Sequence, residues 1–203
     1  MQVYDGADRS TFQALMTVAS GTRRFDTPAN ATAFLSQTAD WWRENSTDID
    51  WHVPAGSIPG STLVRLREIR DAVHALASGH RRHYQRLLRK LANRYSFALQ
   101  VPDGGLRPTA DGWEGFTGRL LLPLAELGDQ ADRLRECAND ECHWMFLDFS
   151  RNGSRTWCHN DVCGNKIRVR RFREREKAAI SRPAQGLAAN RRMGPKSQAN
   201  KAG

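Results

Sequence analysis

Apolar residues recur at helical spacing along most of the chain before its cysteines. Phe34, Leu35, Thr38, Trp41 and Trp42 follow Thr27-Pro28, an N-cap and first-turn pair, which predicts a helix from Pro28 toward Asn45 with both tryptophans in the core. Pro54, Gly56, Pro59 and Gly60 then punctuate a loop. Ser61 is expected to cap a second helix whose inner face is Leu63, Leu66, Ile69, Val73 and Leu76. After Ser78-Gly79, Tyr84, Leu87, Leu88 and Leu91 form a third face, with Arg81, Arg82, Arg86, Arg89 and Lys90 around the rest, the pattern of a solvated surface helix.

Phe97, Leu99 and Val101 alternate with Ser96, Ala98 and Gln100 ahead of a Pro-Asp-Gly-Gly turn, which suggests a short strand hairpinned with residues 106–110. Helical spacing returns between Trp113 and Glu136 in Phe116, Leu120, Leu121, Leu124, Leu127, Ala131 and Leu134. Pro123 and Gly128 divide that stretch into one kinked helix or two short ones. No repeat of solenoid length is visible.

The 203 residues leave room for one ordinary domain and a small appendage, and 39% hydrophobic residues can build a core although the mean hydropathy is -0.64. Charge is distributed unevenly. Residues 1–150 carry 17 Lys and Arg against 19 Asp and Glu, a balance of -2, while residues 151–203 carry 14 against Asp161, Glu174 and Glu176, a balance of +11. A positive end of that kind suggests a polyanionic partner. From Pro183 onward there is almost nothing to bury, so a tail over 181–203 is expected. Met1 to Arg24 holds no run suited to a signal peptide, and no stretch approaches the roughly 20 apolar residues of a membrane helix. A cytoplasmic chain without a membrane partner is the expectation.

All four cysteines fall in one pattern, Cys137-x4-Cys142 and Cys158-x4-Cys163. In a reducing compartment such clusters read as metal ligands before disulfides. Paired cysteines a few residues apart each supply two corners of a zinc tetrahedron, so one structural Zn2+ is expected on Cys137, Cys142, Cys158 and Cys163, its sphere closed to water and to Lewis-acid catalysis. Buried free thiols or a redox pair are the plainer alternative. His143 and His159 lie beside ligand positions, but four thiols suffice.

Trp144, Phe146 and Phe149 precede the turn dipeptide Asn152-Gly153, and Thr156-Trp157 lead into Cys158, so a hairpin between the two loops is expected. Residues 164–177 look helical, with Ile167 and Phe172 turned inward. A knuckle, a hairpin and a second knuckle leading into a helix is the order of a treble-clef-like finger. Arg168, Arg171 and Arg175 form one stripe of that helix, and Arg170, Arg173 and Lys177 flank it. With Arg151, Arg155 and Lys166 these are the candidate nucleic-acid-binding residues, suited to phosphates or guanine edges. A solvated basic helix with an Arg170 to Glu174 pair is the alternative.

Cys137 to Lys177 resembles the CGNR zinc finger family through both Cys-x4-Cys loops, Phe146, Asp148, Ser150-Arg151, Arg155, Trp157-Cys158 and Cys163-Gly164-Asn165. Lys166 stands where the family has arginine, keeping charge without the bidentate fork. More weakly, residues 9–136 resemble the helical ABATE domain that commonly precedes the finger, through Phe12 to Thr17, Trp41-Trp42 and Leu66-Arg67-Glu68. Only Thr17 remains of that domain's early Asn-Thr motif. The resemblance implies a bacterial transcription regulator whose finger binds DNA and whose helical part, 1–136, senses a small molecule.

The expected architecture is therefore a mainly α N-terminal domain with a minor β-hairpin (1–136), a small treble-clef-like zinc finger (137–180) and a basic tail (181–203). RNA is the alternative partner, with Trp144 and Trp157 available for stacking. An enzyme is not expected, since no phosphate loop, Gly-x-Ser-x-Gly elbow, dinucleotide fingerprint or His-Glu-x-x-His is present. His80 and His83 with Tyr84, and His74 with Asp71, read as surface helix residues.

Overall fold

The computed structural model describes residues 7–21, 24–47, 51–99 and 105–180. The expected tail at 181–203, and Val101 of the expected first strand, lie outside the described residues. The chain divides into two compact units, with the boundary between His159 and Asn160.

The first unit is mostly helical. It opens with α1 (Ala7–Ser20), which the amphipathic pattern does not announce. Residues 14–20 are all buried, Ala14, Leu15, Met16, Val18 and Ala19 among them, so the second half of α1 has no exposed face to mark it by periodicity. Its buried hydroxyls are satisfied along the helix: Thr17 donates to the Gln13 carbonyl at 2.9 Å and Ser20 to that of Met16 at 2.7 Å.

Helix α2 (Pro28–Asn45) starts as expected, with Thr27 Oγ1 accepting the Asn30 amide proton at 3.2 Å. Its inner stripe is Ala31, Leu35 and Ala39. Trp42 continues that stripe and packs against the core, but Trp41, one residue and about 100° away, is 44% exposed. The expectation that both tryptophans are core residues is corrected accordingly.

Helix α3 (Gly60–Ala77) buries Leu63, Leu66, Ile69, Val73 and Leu76, as the pattern predicts. Its N-cap is Pro59 rather than Ser61, because the Leu63 amide already bonds to the Pro59 carbonyl at 2.9 Å and closes the first turn earlier. Helix α4 (Arg81–Ala92) buries Tyr84 and Leu91, with Leu87 and Leu88 half-buried. The Tyr84 hydroxyl donates to the Leu124 carbonyl at 2.6 Å. Burial raises the Tyr84 pKa above its ordinary value, against the opposing effects of a backbone hydrogen bond at Gly128 and of Arg81.

Strands β1 (Phe97–Leu99) and β2 (Leu106–Pro108) pair antiparallel, Leu99 opposite Leu106. The next stretch resolves into two short helices, α5 (Gly112–Arg119) and α6 (Leu121–Leu127), followed by a 3-10 turn at Gly128–Arg133. Pro123 is accommodated in the first turn of α6, where its missing N–H costs no helical bond, so the break falls at Leu120. Arg65 of α3 and Glu114 of α5 form an ion pair.

Leu134 does not continue the helix. It opens β3 (Leu134–Glu136), which pairs antiparallel with β4 (Met145–Leu147). Leu134, Met145 and Leu147 are buried in the same core as the helices, and the Met145 amide donates to Ser20 Oγ of α1 at 2.9 Å.

In the second unit a π-helical turn at Asn160–Gly164 runs directly into α7 (Asn165–Ile180). Ile167 is buried, but Phe172 is 54% exposed, contrary to the expectation that both turn inward. Five residues separate them, about 140° around the helix, so the two cannot share a face. No described helix is long and apolar enough to cross a membrane.

Candidate metal centre

The first cysteine pair sits at the mouth of the β3–β4 hairpin. The Cys137 amide donates to the Trp144 carbonyl at 2.9 Å, extending the ladder by one step, and the Cys142 amide donates to the Asn139 carbonyl at 2.8 Å to close a tight turn. Buried Asn139 also accepts the Glu141 amide proton on Oδ1 at 3.4 Å. His143 then adopts φ 54°, a left-handed conformation that returns the chain toward β4. The expected hairpin is thus built differently: β4 pairs backward with β3, around the first cysteine loop, and Asn152-Gly153 turns a non-strand loop.

That loop, from Asp148 to Cys158, is organised by two charged side chains. Asp148 is fully buried, and its two oxygens accept the amide protons of Ser150 and Arg155, each at 2.8 Å. Burial opposes its ionisation, but the hydrogen bonds from Ser150 and Arg155 and the nearby Arg135 charge outweigh burial and hold the carboxyl below its ordinary range. Arg133 bridges from the other side, donating to the Ser150 carbonyl at 3.0 Å. Arg155 lies over the Phe146 ring, 5.0 Å from its centroid, and donates to the carbonyls of Trp157, at 2.8 Å, and Cys158. The backbone entering the second cysteine pair is thereby held from within. The Ala138 amide ties the two cysteine loops together through the Thr156 carbonyl at 3.0 Å.

The sulfur atoms of Cys137, Cys142, Cys158 and Cys163 all lie within 4.8 Å of one another. Cys142 Sγ and Cys158 Sγ are 3.6 Å apart, too far for the roughly 2.05 Å of a disulfide and near the edge of about 3.8 Å that a zinc tetrahedron with roughly 2.3 Å bonds requires. None of the four cysteines forms a disulfide; Cys137 and Cys163 are buried and the other two half-buried. This donor set fits one Zn2+ with a closed sphere, and the ion would supply folding energy. His143 turns instead to Glu136, with Nδ1 2.7 Å from Oε1.

Residues 133–176 match the model of the CGNR zinc finger family. The finger holds a single structural zinc. Its match begins at Arg133, so it takes in β3 and the arginine that braces the Asp148 loop. No curated protein matches the chain.

The nucleic-acid candidates divide into two groups. Lys166, Arg168, Arg170, Arg171, Arg173, Arg175 and Lys177 are exposed on α7, and Arg151 is exposed on the loop. Arg168 donates to Asn165 Oδ1 at 3.0 Å, and Arg175 to the Arg171 carbonyl at 3.2 Å. Arg155, by contrast, is half-buried and engaged with the Trp157 and Cys158 carbonyls. In the sequence Asp148 stands out only through the family resemblance, without a structural role, and Arg133 does not stand out at all. The Asp-x-Ser spacing of Asp148 and Ser150 is the pattern of a side chain bonding its own backbone two residues on, and could have flagged the first.

A cleft of about 240 Å³ opens in the first unit, lined by Ser10, Thr11 and Ala14 of α1, by Trp51 and His52, and by Phe116, Arg119 and Leu120 around α5.

Proposed function

We propose that this protein is a DNA-binding transcription regulator in which the zinc-bound finger presents α7 to duplex DNA. The observation that carries the reading is α7 itself: seven cations, all exposed, on a helix that begins two residues after a zinc-ligand cysteine. A helix of this composition is marginal in isolation, and a metal at its start offsets the nucleation cost. Arg168, Arg171 and Arg175 make phosphate or groove contacts, with Lys166, Arg170, Arg173, Lys177 and Arg151 adding charge. Arg155 acts within the finger.

The cleft in the helical unit suits a small molecule with an apolar body and an acceptor group, since Trp51, Phe116 and Leu120 line it beside Arg119 and two hydroxyls. Regulation would follow if such a ligand favours one of two DNA-binding states. Catalysis has no part in this reading.

Gel shifts of the zinc-loaded chain on duplex DNA and on RNA, across a salt series, test it. Binding to duplex is expected, and Arg171→Gln with Arg175→Gln should reduce the salt slope by about 2. Equal binding to every sequence of either polymer would remove the regulator role, and preference for single-stranded RNA would move the reading to the half-buried Trp144 and Trp157.

A further inference from the structure

Helix α4 carries Arg81, Arg82, Arg86, Arg89 and Lys90 and no acidic residue, within a stretch of chain whose overall balance is -2. Its charges are not distributed like those of α3. There Arg65 pairs with Glu114, Arg67 donates to the Phe25 and Asp26 carbonyls, and Arg70 pairs with Asp71. On α4, Lys90 is taken up by Glu68 of α3 at 2.5 Å, which also holds Arg94. Arg82, Arg86 and Arg89 are exposed, and among the described residues their side chains make no hydrogen bond or ion pair.

These three positions follow the i, i+4, i+7 rule, so they form one stripe on the side of α4 away from buried Tyr84 and Leu91. The stripe runs about 10 Å along the helix axis. Over that length duplex DNA presents roughly six phosphates. Solubility alone is served by mixed charges, as α3 shows; three aligned guanidinium groups with no acid between them repel one another until a polyanion neutralises them. A membrane surface is the poorer fit, because the apolar side of α4 is buried in the core and cannot enter lipid.

We infer that Arg82, Arg86 and Arg89 form a second phosphate-binding surface, in the helical unit, that contacts duplex nucleic acid independently of α7. The inference rests on the proposed duplex binding and adds a surface that no part of the finger supplies.

The test measures anisotropy of a labelled random-sequence duplex with the full, zinc-loaded chain across potassium chloride concentrations. Arg82→Gln, Arg86→Gln and Arg89→Gln together should reduce the slope of log affinity against log salt by about 2–3, at roughly 0.9 for each phosphate no longer neutralised. The corresponding triple lysine variant should retain the slope, as binding by charge requires. Arg86→Gln alone should lower it by about 1 and serves if the triple variant misfolds. Duplex binding with an unchanged slope in the glutamine variants would overturn this inference and leave the α7 reading standing. No duplex binding by the unaltered chain would overturn both. A loss confined to vesicles containing phosphatidylserine, with duplex binding unaltered, would overturn it in favour of a lipid surface.

Discussion

Replacing Asp148 by asparagine alters one atom group in the middle of the finger and tests how its second cysteine pair is held. The carboxylate is fully buried and accepts two amide protons at 2.8 Å, from Ser150 and Arg155. An asparagine keeps one acceptor oxygen and turns an NH2 toward the other amide, so one charge-assisted bond disappears and one backbone donor is left facing a donor. That bond is worth about 1.5–3 kcal/mol, and the unsatisfied amide adds up to a similar amount where water cannot reach it. Ser150 and Arg155 are only half-buried, which favours the lower end, about 2–3 kcal/mol in all.

For a chain of this size that corresponds to a fall in Tm of roughly 4–12 °C. Zinc affinity should fall as well, by about 10–100-fold, because the same loop positions Arg155 on the Cys158 carbonyl. The assays are thermal unfolding of zinc-loaded protein and competition for zinc with a chromophoric chelator. The carboxyl is held below its ordinary value of 3.8, so its contribution is present above that value and is lost as pH falls through the lowered one. The gap between parent and variant should therefore narrow on acidification. Acid release of zinc should begin at a higher pH in the weaker-binding variant, so the zinc content of both proteins is followed by metal analysis across the same pH range. A variant within about 0.5 kcal/mol of the parent at neutral pH, with equal zinc affinity, would refute this account of the loop.

Cys158→Ser should abolish stoichiometric zinc and cost the chain the helical signal of α7, read by metal analysis and circular dichroism; a one-to-one zinc content in that variant would remove the four-thiolate site. Tyr84→Phe leaves the Leu124 carbonyl without its 2.6 Å donor and should lower stability by about 1–2 kcal/mol in a urea melt, with no change in zinc content. Gly115→Ala directs a methyl into the Ala110 carbonyl oxygen, a backbone atom that cannot rotate away, and should destabilise by about 3 kcal/mol; a neutral result would mean the turn before α5 is free to shift.

Much of the finger was legible in one dimension. Two Cys-x4-Cys loops specify four soft ligands by residue type and spacing alone, because a zinc ion tolerates few other arrangements of that chemistry. The helix after Cys163 was legible for a similar reason, as was α3, whose inner Leu63, Leu66, Ile69, Val73 and Leu76 repeat at the period of the helix itself. Caps such as Thr27 are local, and local bonds can be read from neighbours in sequence.

Other features required the third dimension. The second half of α1, residues 14–20, is buried throughout, and a segment with no wet side leaves no periodic trace. Leu134 has the spacing of the preceding helix, yet it joins a strand because its partner Leu147 and the core beneath them lie outside any local window. Arg155 and Arg171 are the same residue type in the same basic stretch. Only the carbonyls and the Phe146 ring around the first distinguish an arginine that builds the finger from one on its surface. Residue type and spacing dictate which atoms can bind a metal, since coordination chemistry is local. Which charges remain available to a partner depends on what the folded chain places beside them.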